Sequence, residues 1–141
     1  APLACAAALA VIRTIRDENL IARAKTAGAR FQAALKALAE RYEHVVEARG
    51  IGMMQGLVLD QPAKPLAARL MDMGLLCLAT AETVLRFLPP LNVKDSEIDE
   101  AIDMLDEALD EQRRELAGEP PRTDDEPEET TGDESAPPSQ N

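Results

Sequence analysis

Four stretches of the chain space their apolar residues as helices do. In the first, Ala1 to Asp17, Pro2 suits an opening turn, where its missing N–H costs nothing. Almost every residue from there to Arg13 is Ala, Leu, Val or Ile. A helix apolar on all sides needs cover on all sides, so a larger body or a partner subunit is expected to pack over it. Asp17-Glu18-Asn19 breaks the run with capping residues. The second helix is predicted to reach about Tyr42, with Leu20, Ala24, Gly28, Phe31, Leu35 and Leu38 on one stripe and the charges largely off it. A shorter helix is expected over Lys64 to Met73, ended by Gly74. The fourth starts at Asp95-Ser96 and shows Ile98, Ile102, Leu105 and Leu109 on one face. Its first turns are acidic, Arg113-Arg114 lie near its end, and Gly118 stops it.

Between the helices the period shortens. Val45 to Ala48 is β-prone. Arg49-Gly50-Ile51-Gly52-Met53-Met54-Gln55-Gly56-Leu57-Val58-Leu59-Asp60 follows. Its glycines imitate a phosphate-binding loop, but a strand and then Pro62 and Pro65 come next, not the helix N-terminus such a loop requires. A strand is predicted, with a bulge or close backbone approach at the glycines. Leu75 to Thr80 and Thr83 to Leu88, joined by Ala81-Glu82, read as a hairpin that Pro89-Pro90 terminates. The order of elements predicts an α+β fold, a small antiparallel sheet covered by helices.

Composition refines this picture. The 141 residues allow one domain, and 45% hydrophobic content supplies a core rich in Ala and Leu. Residues 117–141 hold eight acids against Arg122 and so carry seven of the eleven net negative charges. Rich in Pro, Glu, Asp, Ser and Thr, they are expected to form a disordered acidic tail on a body spanning residues 1–116. With no basic stripe and 2% aromatic residues, nucleic acid is excluded as a partner. The longest apolar run, Ala1 to Ile12, is shorter than the ~20 residues that cross a bilayer, and it lacks a basic leader. No membrane partner is expected. Cys5 and Cys77 sit in apolar segments and read as buried free thiols of a cytoplasmic protein.

Candidate chemistry is sparse. His44, the only histidine, has no ligand-spaced neighbours and reads as a helix C-terminal residue; no metal site is expected. Lys25, Lys36, Lys64 and Lys94 lie on polar faces or at element ends, where nothing lowers an amine's pKa for Schiff-base work. Arg86 stands apart, between Leu85 and Phe87 in the apolar strand Thr83-Val84-Leu85-Arg86-Phe87-Leu88. A guanidinium cannot shed its charge and must find an anion. Two readings stand: a sheet-edge arginine paired with Glu82 or an acid of the last helix, or a fork for a carboxylate from outside.

Three segments occur together and in this order in a known family. They are Pro2-Leu3-Ala4-Cys5-Ala6-Ala7-Ala8, Arg49-Gly50-Ile51-Gly52-Met53-Met54-Gln55-Gly56-Leu57 and Val84-Leu85-Arg86-Phe87-Leu88-Pro89-Pro90-Leu91. Through them, Ala1 to about Leu116 resembles the C-terminal small domain of class III aminotransferases, the acetylornithine type above all. The resemblance implies the aspartate-aminotransferase-like fold, a homodimer and dependence on pyridoxal phosphate. It also implies exchange of an amino group between N-acetylornithine and 2-oxoglutarate in arginine biosynthesis. It assigns Arg86 to the α-carboxylate of the amino-acid or 2-oxo-acid substrate and Arg49 to structure alone. In the family the Schiff-base lysine and the other cofactor-binding groups lie upstream of the segment at Pro2, so this chain is expected to be a fragment, inactive alone, with no catalytic or cofactor-binding residue. Ala1 stands where the family usually has Asn. Members acting on ornithine, succinylornithine or 4-aminobutyrate fit the same segments, and a non-catalytic α+β interaction module is the rival of another kind.

Overall fold

The computed structural model describes residues 1–120. It holds four helices, α1 (Pro2–Asp17), α2 (Leu20–Arg41), α3 (Lys64–Asp72) and α4 (Asp95–Ala117). Four strands, β1 (Val45–Ile51), β2 (Met54–Leu59), β3 (Leu78–Thr80) and β4 (Val84–Phe87), form one antiparallel sheet in the order β1-β2-β4-β3. The fold is α+β, as the periodicities predict. The proposed tail is described only to Pro120; residues 121–141 lie outside the described part.

Alternation along the strands decides which face of the sheet is covered. Leu57 and Leu59 of β2 and Leu85 and Phe87 of β4 point the same way and are buried. Onto them pack Phe31, Leu35 and Leu38 of α2, Leu66 and Leu70 of α3, and Leu105, Ala108 and Leu109 of α4. Phe31 meets Phe87 edge-on, ring centroids 5.7 Å apart. A fringe of ion pairs joins the helices: Arg30 with Asp99, Arg41 with Asp106, and Arg69 with Glu111 and Glu115. These pairs are largely exposed, so the apolar contacts beneath them carry more of the stability.

Glycine permits the closest approach. A Cβ on Gly28 of α2 would stand 2.1 Å from the carbonyl oxygen of Gly52. Gly52 itself, at φ +53°, opens the two-residue turn between β1 and β2, a position where hairpin turns favour glycine. Gln55 ties the contact, its Nε2 donating to the Gly52 carbonyl at 2.7 Å. The close approach expected at the glycines is therefore present. The bulge is not there; the register shifts between Val45 and Glu47 instead.

Other expectations need correction. The strand predicted over Leu75 to Thr80 shrinks to its last three residues, because Leu75 is drawn back to bond the Leu70 carbonyl at the end of α3. Cys5 is exposed and Cys77 only half-buried. His44 lies past the end of α2, buried beside Tyr42. Helix α1, expected to be covered by a larger body or a partner, needs no such correction: within this chain it buries no residue, and Leu3, Leu9, Val11 and Ile12 all face solvent.

Candidate functional site

Arg86 sits in β4, an interior strand, so it is not the sheet-edge arginine of the first reading. Its neighbours Leu85 and Phe87 turn into the core and send Arg86 to the opposite, helix-free face. The pairing partners on that face are fixed by register: Arg49 of β1 opposes Gly56 of β2, Gly56 opposes Arg86, and Arg86 opposes Leu78 of β3. One row thus crosses the whole sheet with an arginine on either side of a residue that has no side chain.

No acid among the described residues claims Arg86. Among the described residues it forms no ion pair, and its buried Nε finds no hydrogen-bond partner. Helix α4, which carries the candidate acids, packs on the opposite face of the sheet, and several of those acids pair there. Asp95 pairs with Arg23 and Arg30, and Asp110 with Arg113 and Arg114. A buried guanidinium nitrogen without a partner costs free energy, so this geometry suits an anion arriving from outside the described chain.

The surroundings form a hollow of about 340 Å³, lined by Arg49, Ile51, Met54, Gly56, Val84 and Arg86. Its apolar walls are open to solvent: Ile51 is 82% exposed, Met54 52%. Arg49 was read from the sequence as structure alone. Only the register reveals that it stands in the same row as Arg86.

The remaining titratable groups make no second centre. Burial lowers the pKa of His44, and its Nε2 has no partner. Tyr42 is pushed up to about 12 by burial and by donating its hydroxyl proton to Asp106 at 2.6 Å. Burial raises the Cys77 thiol to about 11, which keeps it protonated and unreactive at neutral pH. No group of three or more potential metal ligands occurs among the described residues, and no described helix is long and apolar enough to cross a membrane.

Residues 1–109 match the family model described as aminotransferase class-III. The chain belongs to the class III aminotransferases. It is 48% identical over 107 residues to the acetylornithine aminotransferase of Gloeobacter violaceus, covering 74% of this chain and 27% of that protein. The solved ornithine aminotransferase of Toxoplasma gondii matches with a TM-score of 0.75 at 30% identity, over 81% of this chain and 28% of that one. The acetylornithine aminotransferase of Elizabethkingia anophelis matches with a TM-score of 0.74 at 26% identity, over 77% and 28%. The chain thus spans just over a quarter of the length of these aminotransferases and matches their C-terminal small domain.

Class III aminotransferases depend on pyridoxal phosphate, and the described residues do not fit a role in holding it. All four lysines are exposed, whereas a Schiff-base lysine needs desolvation or a neighbouring cation to become nucleophilic near pH 7. The glycines at 50, 52 and 56 lie in a β-hairpin, where no helix N-terminus receives a phosphate. What this aminotransferase segment does offer is two arginines, Arg49 and Arg86, in one row of an open sheet face.

Proposed function

We propose that this chain forms the carboxylate-binding wall of an acetylornithine-type aminotransferase, in which Arg86 takes the α-carboxylate of the substrate. The full-length enzyme would exchange an amino group between N-acetylornithine and 2-oxoglutarate in arginine biosynthesis, as a cytoplasmic homodimer, with pyridoxal phosphate held by residues outside this chain. One observation carries the reading: the unpartnered, half-buried guanidinium of Arg86 facing an open hollow. Glutamate and 2-oxoglutarate, the pair on one side of the exchange, both carry a carboxylate on the carbon that gains or loses the amine, and a planar fork of fixed charge can hold that group in either. The 48% identity to a protein named acetylornithine aminotransferase supports the donor. A match to an ornithine aminotransferase at 30% identity keeps ornithine as the second donor.

The test uses the full-length protein. Arg86→Ala is expected to raise KM for both amino-acid and oxo-acid substrates by roughly 10- to 150-fold, the loss of a charge-assisted bond worth about 1.5–3 kcal/mol. Unchanged values for both would sink the carboxylate role. Comparing kcat/KM for N-acetylornithine and ornithine decides the donor, and sedimentation decides the dimer.

A further inference from the structure

We propose that Arg49 is a second carboxylate-binding residue of this site, closing over Gly56 against Arg86 so that two guanidinium forks grip one carboxylate. The inference rests on the reading of Arg86 as the substrate's carboxylate fork, and it adds a residue that motif and composition leave as plain strand.

The geometry comes from the row. Arg49 and Arg86 both oppose Gly56, one from each side, so all three residues share the helix-free face. Two strand spacings separate the arginine backbones, about 9.5 Å. Nothing projects between them, because the intervening residue is glycine. Two arginine side chains rising from the same face can lean across that gap and meet a single anion from opposite sides.

Arg49 is available for the task. Among the described residues its ion-pair partner is Glu47, at 3.9 Å and with both side chains more than half exposed, too long for a hydrogen bond. Both arginines line the same hollow, whose other walls are mostly apolar apart from Gln55. A hollow with two fixed positive charges and apolar sides selects a carboxylate on a short hydrocarbon stem. Gly56 completes the device. A Cβ there would meet the Leu85 carbonyl oxygen at 3.3 Å and the Val84 Cγ1 at 3.5 Å, so the backbone tolerates alanine with a shift of a few tenths of an ångström. The added methyl would, however, stand between the forks.

The experiment is a kinetic cycle in the full-length protein: Arg49→Ala, Arg49→Lys, Arg86→Ala, the double alanine variant and Gly56→Ala. Each is assayed with the amino acid, with its carboxamide and with 2-oxoglutarate. Arg49→Ala is expected to raise KM for both acids about tenfold, with kcat within twofold and little change for the carboxamide, which has no negative charge to grip. Arg49→Lys should fall between wild type and alanine. Gly56→Ala should raise KM severalfold. In the Arg86→Ala background, removing Arg49 should cost threefold or less, because the forks act on one group.

Two results overturn the clamp while leaving Arg86 in place. One is a KM unchanged by Arg49→Ala where Arg86→Ala raises it. The other is an Arg49→Ala effect that falls equally on acid and carboxamide with a lowered melting temperature, which marks a packing role. If Arg86→Ala leaves KM unchanged, the carboxylate reading of Arg86 fails and the clamp with it.

Discussion

A permanent charge is the easiest residue to find in an apolar strand and the hardest to place. Arg86 was legible in the sequence because Leu85 and Phe87 flank it; its lack of a mate among the described residues was not, since that depends on the sheet turning it away from the face that α4 covers. His44 shows the opposite failure. A lone histidine after a helix gives no sign of burial, yet it is 6% exposed with Nε2 unpaired. Its folded-state pKa is lowered, chiefly by burial, partly offset by Asp60, with Arg113 also lowering it. The neutral form is therefore the folded one. Stability is full above the unfolded-state value near 6.5 and falls as pH drops below it, until the depressed folded-state value is passed. Melting temperature between pH 7.5 and 5 should fall more steeply for wild type than for His44→Phe, which keeps an aromatic ring against Tyr42. Parallel curves would contradict the assignment.

At the scale of elements, the helices were read nearly to the residue, because long amphipathic runs leave little choice. The strands were not read in length or register, and the stretch from Arg49 to Asp60 that reads as one strand is divided by the turn at Gly52-Met53 into the end of β1 and β2. Three residues of β3 carry too little periodicity to bound themselves, and the shift at Val45/Glu47 has no sequence mark. The glycines were informative for the right reason, close approach, at a position that needed the structure to name. Gly28 opposes Gly52, not a ligand. Gly28→Ala should lose about 1–3 kcal/mol, because the methyl forces α2 away from the hairpin. Denaturant unfolding measures this, and the same substitution at Gly74, where no atom lies within 4 Å, supplies a contrast in which only the left-handed backbone at φ +98° is strained.

For the whole molecule, α+β followed from the two hydrophobic periods, but the open face did not. Its strands carry Ile51, Met54 and Leu78 outward, each more than half exposed. Alternation marks a solvent face by polarity, and here the open face carries large apolar residues around its two arginines. Helix α1, which buries none of its residues, is a second uncovered apolar surface, and such surfaces are the kind that marks an interface. The double substitution Ile51→Glu, Met54→Lys should make the 141-residue chain less prone to self-association at a stability cost of under ~1 kcal/mol, since neither side chain contributes to the core. Sedimentation and melting read the two effects separately; a large loss of stability would mean the face is already packed.

The strand order has a temporal consequence. β1 with β2, and β3 with β4, are local hairpins, whereas β2 joins β4 across about thirty residues, Gly56 to Arg86. Loop closure makes that seam the slow step of folding, formed after both hairpins. Leu85→Ala should accordingly slow refolding more than it speeds unfolding in a stopped-flow chevron; the reverse partition would place closure of the seam after the rate-limiting barrier. Arg49 arrives with the first hairpin and Arg86 with the second, so the seam brings the two charges together. A carboxylate held between them would fasten that seam from outside, and ligand concentration would then set how long the sheet stays closed.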